Sequence, residues 1–127
     1  MTPEVVAKVK DYNPDKIFLL PLYTQYSTTT TKSSLDAWFK EAQFQNLNTT
    51  TKYTCCYPND SKLIKAHQKL IQDKINQVKD KKVRVLFSAH SLPVSIIKKG
   101  DPYQWQVEQT VNAVIKGIRG HEDHVLA

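Results

Sequence analysis

The chain has 127 residues, of which 40% are hydrophobic and 24% charged, so it is long enough for one core and too apolar for a disordered protein. No run approaches the roughly 18 apolar residues of a membrane span, and the first ten residues lack an apolar signal core, which predicts a cytoplasmic protein. The net charge of +6 comes mainly from dispersed lysines, which indicates a solvated surface rather than a nucleic-acid site.

The first third of the chain predicts a helix, a buried strand and a polar loop. Thr2-Pro3-Glu4 is typical of a helix start, and Asn13-Pro14 of its end. The apolar run that follows predicts a strand near 16–22, buried on both faces as in parallel sheets. A polar loop is expected over 24–32.

Helices and strands continue to alternate along the rest of the sequence. In order, the patterns predict a helix from Ser33, a strand at 52–57, a long helix ending near Val78, a strand at 83–88, a capped helix from Asp101-Pro102 to Arg119-Gly120, and a strand beginning at His124. This alternation predicts an α/β layer structure with a mostly parallel sheet. A helix without a preceding strand and a final strand-like segment indicate an incomplete fold, either a piece of a longer one or a truncated gene product.

Two polar segments follow predicted strands, at the positions where open parallel sheets bind ligands. The first runs over 23–31 and the second over 88–93. His90, in the second, is suited to act as a general base or as a metal ligand, and the alternative is a histidine bonded to a loop carbonyl. Tyr23 and Tyr26 could stack on a flat ligand or simply pack. We expect Tyr23 and His90 at the same edge of the sheet.

The remaining histidines and the cysteines carry weaker signals. His67 is expected at the edge of the core, and the segment 121–124 could trap a cation or form a solvated loop. Cys55 and Cys56 match no disulfide, zinc or redox spacing, so two reduced thiols are expected. On a strand they would point to opposite faces.

Two stretches resemble the ferrochelatase family. One is Ser88-Ala89-His90-Ser91-Leu92-Pro93 followed by Gly100-Asp101-Pro102-Tyr103, and the other runs from Pro21 to Thr30 with Ser33-Ser34-Leu35. The resemblance covers nearly the whole chain. It implies insertion of Fe²⁺ into a porphyrin, protoporphyrin IX or coproporphyrin III, during haem synthesis, by a Rossmann-like, three-layer α/β/α fold with two lobes.

The resemblance also implies roles for individual residues. His90 matches the family's active-site histidine and is the expected catalytic group and metal ligand. Porphyrin-cleft contacts are expected from Tyr23, Tyr26, Ser27, Ser88 and Ser91. Fe²⁺ is a substrate, no prosthetic group is implied, and no iron–sulfur cluster is expected because Thr28 stands where some members have a cluster cysteine.

The chain departs from the family in its extent. Residues 1–21 would close the first lobe and 22–127 would begin the second, or 1–127 would form one compact α/β unit. The carboxylate that faces the histidine in the family lies outside the chain, so none is expected opposite His90. We therefore expect the chain alone to have little activity. We expect it to associate with itself or with the missing segments, to bind no nucleic acid, and to make at most peripheral contact with a membrane. The alternative is a non-catalytic metal- or tetrapyrrole-binding remnant.

Overall fold

Helices and short strands alternate along residues 2–78 and 80–127, which the computed structural model describes. They group into two units, Met1–Cys56 and Tyr57–Ala127. The assignment of residues 1–21 and 22–127 to different lobes is a separate matter and stays a prediction. None of the helices in these described ranges is long and apolar enough to cross a bilayer.

The first unit contains α1 (Thr2–Tyr12), β1 (Ile17–Leu19), a π-helical turn (Thr28–Lys32), α2 (Ser33–Phe44) and β2 (Thr51–Tyr53). β1 and β2 pair in parallel, with Ile17 opposite Thr51. The core consists of Val6 of α1, Ile17 of β1, and Trp38 and Ala42 of α2. Asn13 and Asn46 follow the two helices with positive φ angles of 52° and 56°, a conformation that asparagine tolerates and that turns the chain out of a helix.

The π-helical turn replaces part of the polar loop expected over 24–32. The Lys32 N–H donates to the Ser27 carbonyl, five residues earlier, at 3.2 Å. The Ser27 hydroxyl accepts from the Thr29 N–H at 3.1 Å, and the Ser33 hydroxyl donates to the Thr29 and Thr30 carbonyls. The Ser27 side chain caps the start of the turn and the Ser33 hydroxyl bonds to carbonyls within it, so local side-chain bonds satisfy backbone groups at both of its ends.

The second unit contains α3 (Ser61–Gln77), β3 (Arg84–Phe87), α4 (Val94–Lys98), α5 (Tyr103–Ile115) and β4 (Asp123–Leu126). β3 and β4 pair in parallel, with Arg84 opposite Asp123. α3 packs on α5. Buried apolar side chains lie on both helices and on the segment after α5; they are Ile64, Ile75, Val107, Val111, Val114 and Ile118.

The predicted α/β class and the parallel pairing are confirmed, but the expected single sheet is not formed. The described strands make two separate two-stranded sheets, β1–β2 and β3–β4. The strands are also shorter than predicted, and the apolar run after Leu19 leaves the ladder, with Leu22 86% exposed. Pro21, which has no N–H for a central ladder, explains why β1 stops early.

A candidate active site around His90

His90 emerges from the carboxyl end of β3. The ladder continues past β3, because the Ala127 N–H donates to the Phe87 carbonyl at 2.9 Å and the Ala89 N–H donates to the Ala127 carbonyl at 3.0 Å. His90 is the next residue, and its side chain is exposed. The hydrogen bonds of the sheet therefore fix the backbone up to Ala89, and His90 is the first residue beyond them.

His90 lines a cavity of about 510 Å³ in the second unit. The volume is within the range of small-molecule sites, roughly 300–1,000 Å³. Apolar side chains supply much of the wall, and polar groups lie among them; the lining residues are Ala89, His90, Ser91, Leu92, Ile97, Tyr103, Gln104, Val107, Glu108, Leu126 and Ala127. Such a wall suits a largely apolar ligand that is oriented by a few polar groups.

The Gly-Asp-Pro-Tyr segment positions one wall of this cavity. Gly100 has φ +89°, a conformation that favours glycine, and it turns the chain after α4. The buried carboxylate of Asp101 accepts from the N–H of Tyr103, the first residue of α5, at 3.0 Å. Asp101 thus bonds to the start of the helix as predicted, but the N-cap position is occupied by Pro102, which was expected as the first helical residue. Gln104 does not complete a capping box, because its amide donates to the Glu108 carboxylate at 3.0 Å.

Glu108 places a carboxylate in the same cavity as His90, where the sequence analysis expected none. It also lines an adjoining hollow of about 320 Å³ together with Val111, Asn112, His124 and Leu126. The helical spacing of Gln104, Val107 and Glu108 on α5 was the signal for this wall. Sequence analysis missed it because the pattern was assigned only to core packing.

The other predicted site residues are distributed over both units. Ser91 lines the His90 cavity, whereas Ser88 is exposed and is not among its lining residues. Tyr23 is 55% exposed and lines a hollow of about 290 Å³ in the first unit, beside Pro21 and Trp38. Tyr26 is half-buried. Ser27 is fully buried and caps the π-helical turn.

Tyr23 and His90 follow strands of different sheets. Tyr23 comes four residues after β1, and His90 comes three residues after β3. The expectation of one sheet edge shared by both side chains therefore needs correction, since β1 pairs with β2 and β3 pairs with β4. Each side chain does come after the carboxyl end of its own strand, as predicted.

Charged and imidazole groups gather at β4 and its approach. Arg84 donates two hydrogen bonds to Asp123, at 2.7 and 2.6 Å, and these bonds hold the pKa of the Asp123 carboxyl below its usual value. The ring centroids of His121 and His124 are 6.4 Å apart. His67, on α3, is exposed, so the expected position at the edge of the core is wrong. Within residues 2–78 and 80–127, no group of three or more His, Cys, Asp and Glu residues could hold a metal ion.

Comparisons with known proteins assign the chain to a family. The family model named Ferrochelatase matches residues 1–127. The ferrochelatase of Rickettsia bellii is 51% identical over 115 residues, covering 91% of this chain and 31% of that protein. Those of Pelagibacter ubique and Wolbachia sp. subsp. Brugia malayi are 45% and 49% identical, and 33% and 34% of their lengths are covered. The chain thus spans about a third of the relatives it matches, and it belongs to the ferrochelatase family.

Proposed function

We propose that this chain contributes the His90 side of a ferrochelatase active site, which inserts Fe²⁺ into protoporphyrin IX or coproporphyrin III in the cytoplasm. The observation that carries the proposal is the placement of His90 and Glu108 on one partly apolar cavity. Membership of the family supports the reaction class. Fe²⁺ is the metal substrate, and the proposal includes no prosthetic group and no iron–sulfur cluster.

The reaction defines what these groups must do. A free-base porphyrin carries two pyrrole N–H protons, and both must leave when Fe²⁺ binds the four ring nitrogens. An imidazole with an ordinary pKa near neutrality is suited to accept such a proton. The same lone pair could instead bind Fe²⁺, because the imidazole nitrogen is a suitable ligand for iron and is less soft than a thiolate sulfur. One histidine cannot perform both tasks at the same moment, so a second group is required.

Glu108 is our candidate for that second group. Its carboxylate accepts from the Gln104 amide, which restrains it on the first turns of α5. A carboxylate attracts Fe²⁺ electrostatically and also accepts a proton from a neighbouring imidazolium. In our proposal His90 and Glu108 together attract Fe²⁺ and accept the pyrrole protons, while the apolar wall of the cavity binds the porphyrin ring.

Further expected substrate contacts come from the first unit (Tyr23 and Tyr26) and from the second (Ser88 and Ser91). Tyr23 is exposed enough to stack on a porphyrin face, and Tyr26, Ser88 and Ser91 are the other expected contacts. Ser27 acts through its cap, which holds the segment carrying the tyrosines, since its side chain is buried. We expect the isolated chain to turn over little, to associate with itself or with the rest of a ferrochelatase, and to need that remainder for activity.

The test is a chimera in which this chain replaces the matching 115 residues of the Rickettsia bellii ferrochelatase. Zinc-porphyrin fluorescence measures turnover of the chimera, of His90→Ala and of His67→Ala. The exposed His67 on α3 is the matched control. We expect His90→Ala to lower the rate about 10²- to 10⁴-fold and His67→Ala to leave it unchanged. Full activity of His90→Ala in a folded chimera would refute the proposal.

A further inference from the structure

The two cysteines form a closely spaced dithiol. Cys55 and Cys56 are both in the thiol form, and their sulfur atoms are 2.9 Å apart. On a strand, neighbouring side chains would point to opposite faces. β2 ends at Tyr53, so the alternation no longer applies at these residues. The loop conformation brings both sulfurs to one side.

The dithiol lies at an accessible edge of the first unit. Leu19 is opposite Tyr53 in the parallel ladder, and the Thr54 N–H donates to the Leu19 carbonyl at 3.1 Å. Both strands therefore end together, and the chain after β1 leads from this edge to Tyr23. Cys55 is exposed and Cys56 is half-exposed, so a small reagent can reach them.

The ligand set is unsuited to a structural zinc ion. Such a site takes four protein ligands, usually with several cysteines or histidines. No third His, Cys, Asp or Glu joins this pair in the part of the chain that the structure describes. A ligand atom that forms bonds to two sulfurs, and that already carries one substituent of its own, fits the dithiol better.

A disulfide between the two residues is also disfavoured. The sulfurs would have to approach from 2.9 Å to about 2.05 Å. The ring so formed has eight members and contains the planar peptide bond between Cys55 and Cys56, which resists twisting. Its formation would also consume an oxidant. If one larger atom joins the two sulfurs, the sulfurs need not approach to the disulfide distance and the ring gains a member. Such a bridge relieves both constraints.

We propose that Cys55 and Cys56 together form a covalent capture site for a monosubstituted trivalent arsenical. In the reaction R–As(OH)₂ + 2 protein–SH → R–As(S–protein)₂ + 2 H₂O, two As–O bonds are replaced by two As–S bonds. Each hydroxide leaves with one thiol proton as water. Arsenic stays in the +3 state, so no oxidant or reductant is needed.

The protonation of Cys55 affects the rate of capture. Partial burial, followed by the hydrogen bond with Cys56, raises the pKa of the Cys55 thiol to about 11. The group is therefore protonated near neutral pH, which slows thiolate-dependent oxidation by peroxide. The same protonation slows the attack on arsenic, because the thiolate is the nucleophile, but it leaves the stoichiometry of capture unchanged.

The experiment uses the 127-residue chain, phenylarsine oxide and intact-protein mass spectrometry, with a phosphine reductant present to prevent disulfide formation. We expect one phenylarsenic group per chain, with the loss of two hydrogens from the protein. The adduct should persist in excess 2-mercaptoethanol and be released by 2,3-dimercaptopropanol. Absence of the adduct, or one arsenic atom joining two chains, would overturn the proposal.

Cys55→Ser and Cys56→Ser are the matched variants, and the chain has only these two cysteines. Closing the second As–S bond within one chain contributes an effective concentration that the single thiols lack. Each variant should therefore bind about 10²-fold or more weakly in the presence of 2-mercaptoethanol. Circular dichroism checks that both remain folded. If either folded variant retained the monothiol-resistant adduct, capture by two sulfurs would be wrong.

Discussion

Glu108 shares its cavity with His90 and is restrained by Gln104, so its role can be tested by a change that keeps its shape. In the active chimera, Glu108→Gln removes the charge and the proton-accepting capacity. We expect turnover to fall about tenfold or more, with an altered pH–rate profile, because the two groups share the acid–base work. Zinc-porphyrin fluorescence across pH 5–9 provides the measurement.

Glu122→Gln is the control for the Glu108 variant. Glu122 is not among the residues that line the cavity, and it forms a long ion pair with Lys82, at 3.7 Å between Nζ and Oε1. The Glu122→Gln variant should have an unchanged rate and an unchanged pH–rate profile. Wild-type kinetics in Glu108→Gln would remove this carboxylate from our proposal and leave His90 as the sole candidate base.

The Arg84–Asp123 pair links the paired ends of β3 and β4. Because Arg84 lowers the folded-state pKa of Asp123, the pair stabilises the fold above the unfolded-state pKa of the carboxyl, and this contribution is lost as the pH falls through the lowered value. In Arg84→Gln, carbon NMR should show the Asp123 pKa returning toward its ordinary value. An unchanged pKa would show that the hydrogen bonds do not persist in solution.

At the scale of elements, Gly117 leaves room for a side chain of α3 that bonds to the end of α5. The Gln68 amide nitrogen donates to the Ala113 and Val114 carbonyls at 3.1 and 3.2 Å. A Cβ built at Gly117 would lie 2.0 Å from that nitrogen. The backbone of Gly117 does not have a positive φ, so alanine fits its conformation, but the added Cβ would displace the Gln68 side chain and its hydrogen bonds.

We therefore expect Gly117→Ala to lower the free energy of unfolding by about 1–3 kcal/mol, measured by urea denaturation. Gln68→Ala removes the obstructing side chain, and the double variant should lose clearly less than the sum of the two single losses. Equal cost of Gly117→Ala in both backgrounds would show that the amide of Gln68 is not the source of the strain.

At the scale of the whole molecule, we expect the chain to supply only part of what catalysis requires. It spans about a third of its relatives, and the described cavity around His90 is lined by the second unit alone. Discrimination between a bound porphyrin and the transition state requires walls that are already in place. We expect the isolated chain to show little or no zinc-chelatase activity, and the chimera to recover it. Robust turnover by the isolated chain would contradict this expectation.

Local patterns were sufficient for several elements. Local signals correctly predicted a helix start at Pro3, a bond from Asp101 to the start of α5, and an apolar strand before Ser88. α4 was missed because its five residues carry no periodic signal, and the π-helical turn was missed because it depends on the bonds of Ser27 and Ser33. The predicted substrate roles of Tyr23, Tyr26, Ser27, Ser88 and Ser91 remain predictions.

By itself the sequence determined the α/β class, the parallel direction of its strands, the motif around His90 and the family, because these depend on periodicity, turn chemistry and residue identity. Only the tertiary structure decided that β1 pairs with β2 and β3 with β4, that Glu108 joins His90, and that the sulfurs of Cys55 and Cys56 meet. Strand pairing and cavity walls join residues distant in the chain, and the two sulfurs meet through a loop conformation. Such arrangements depend on packing and loop geometry that no local pattern specifies.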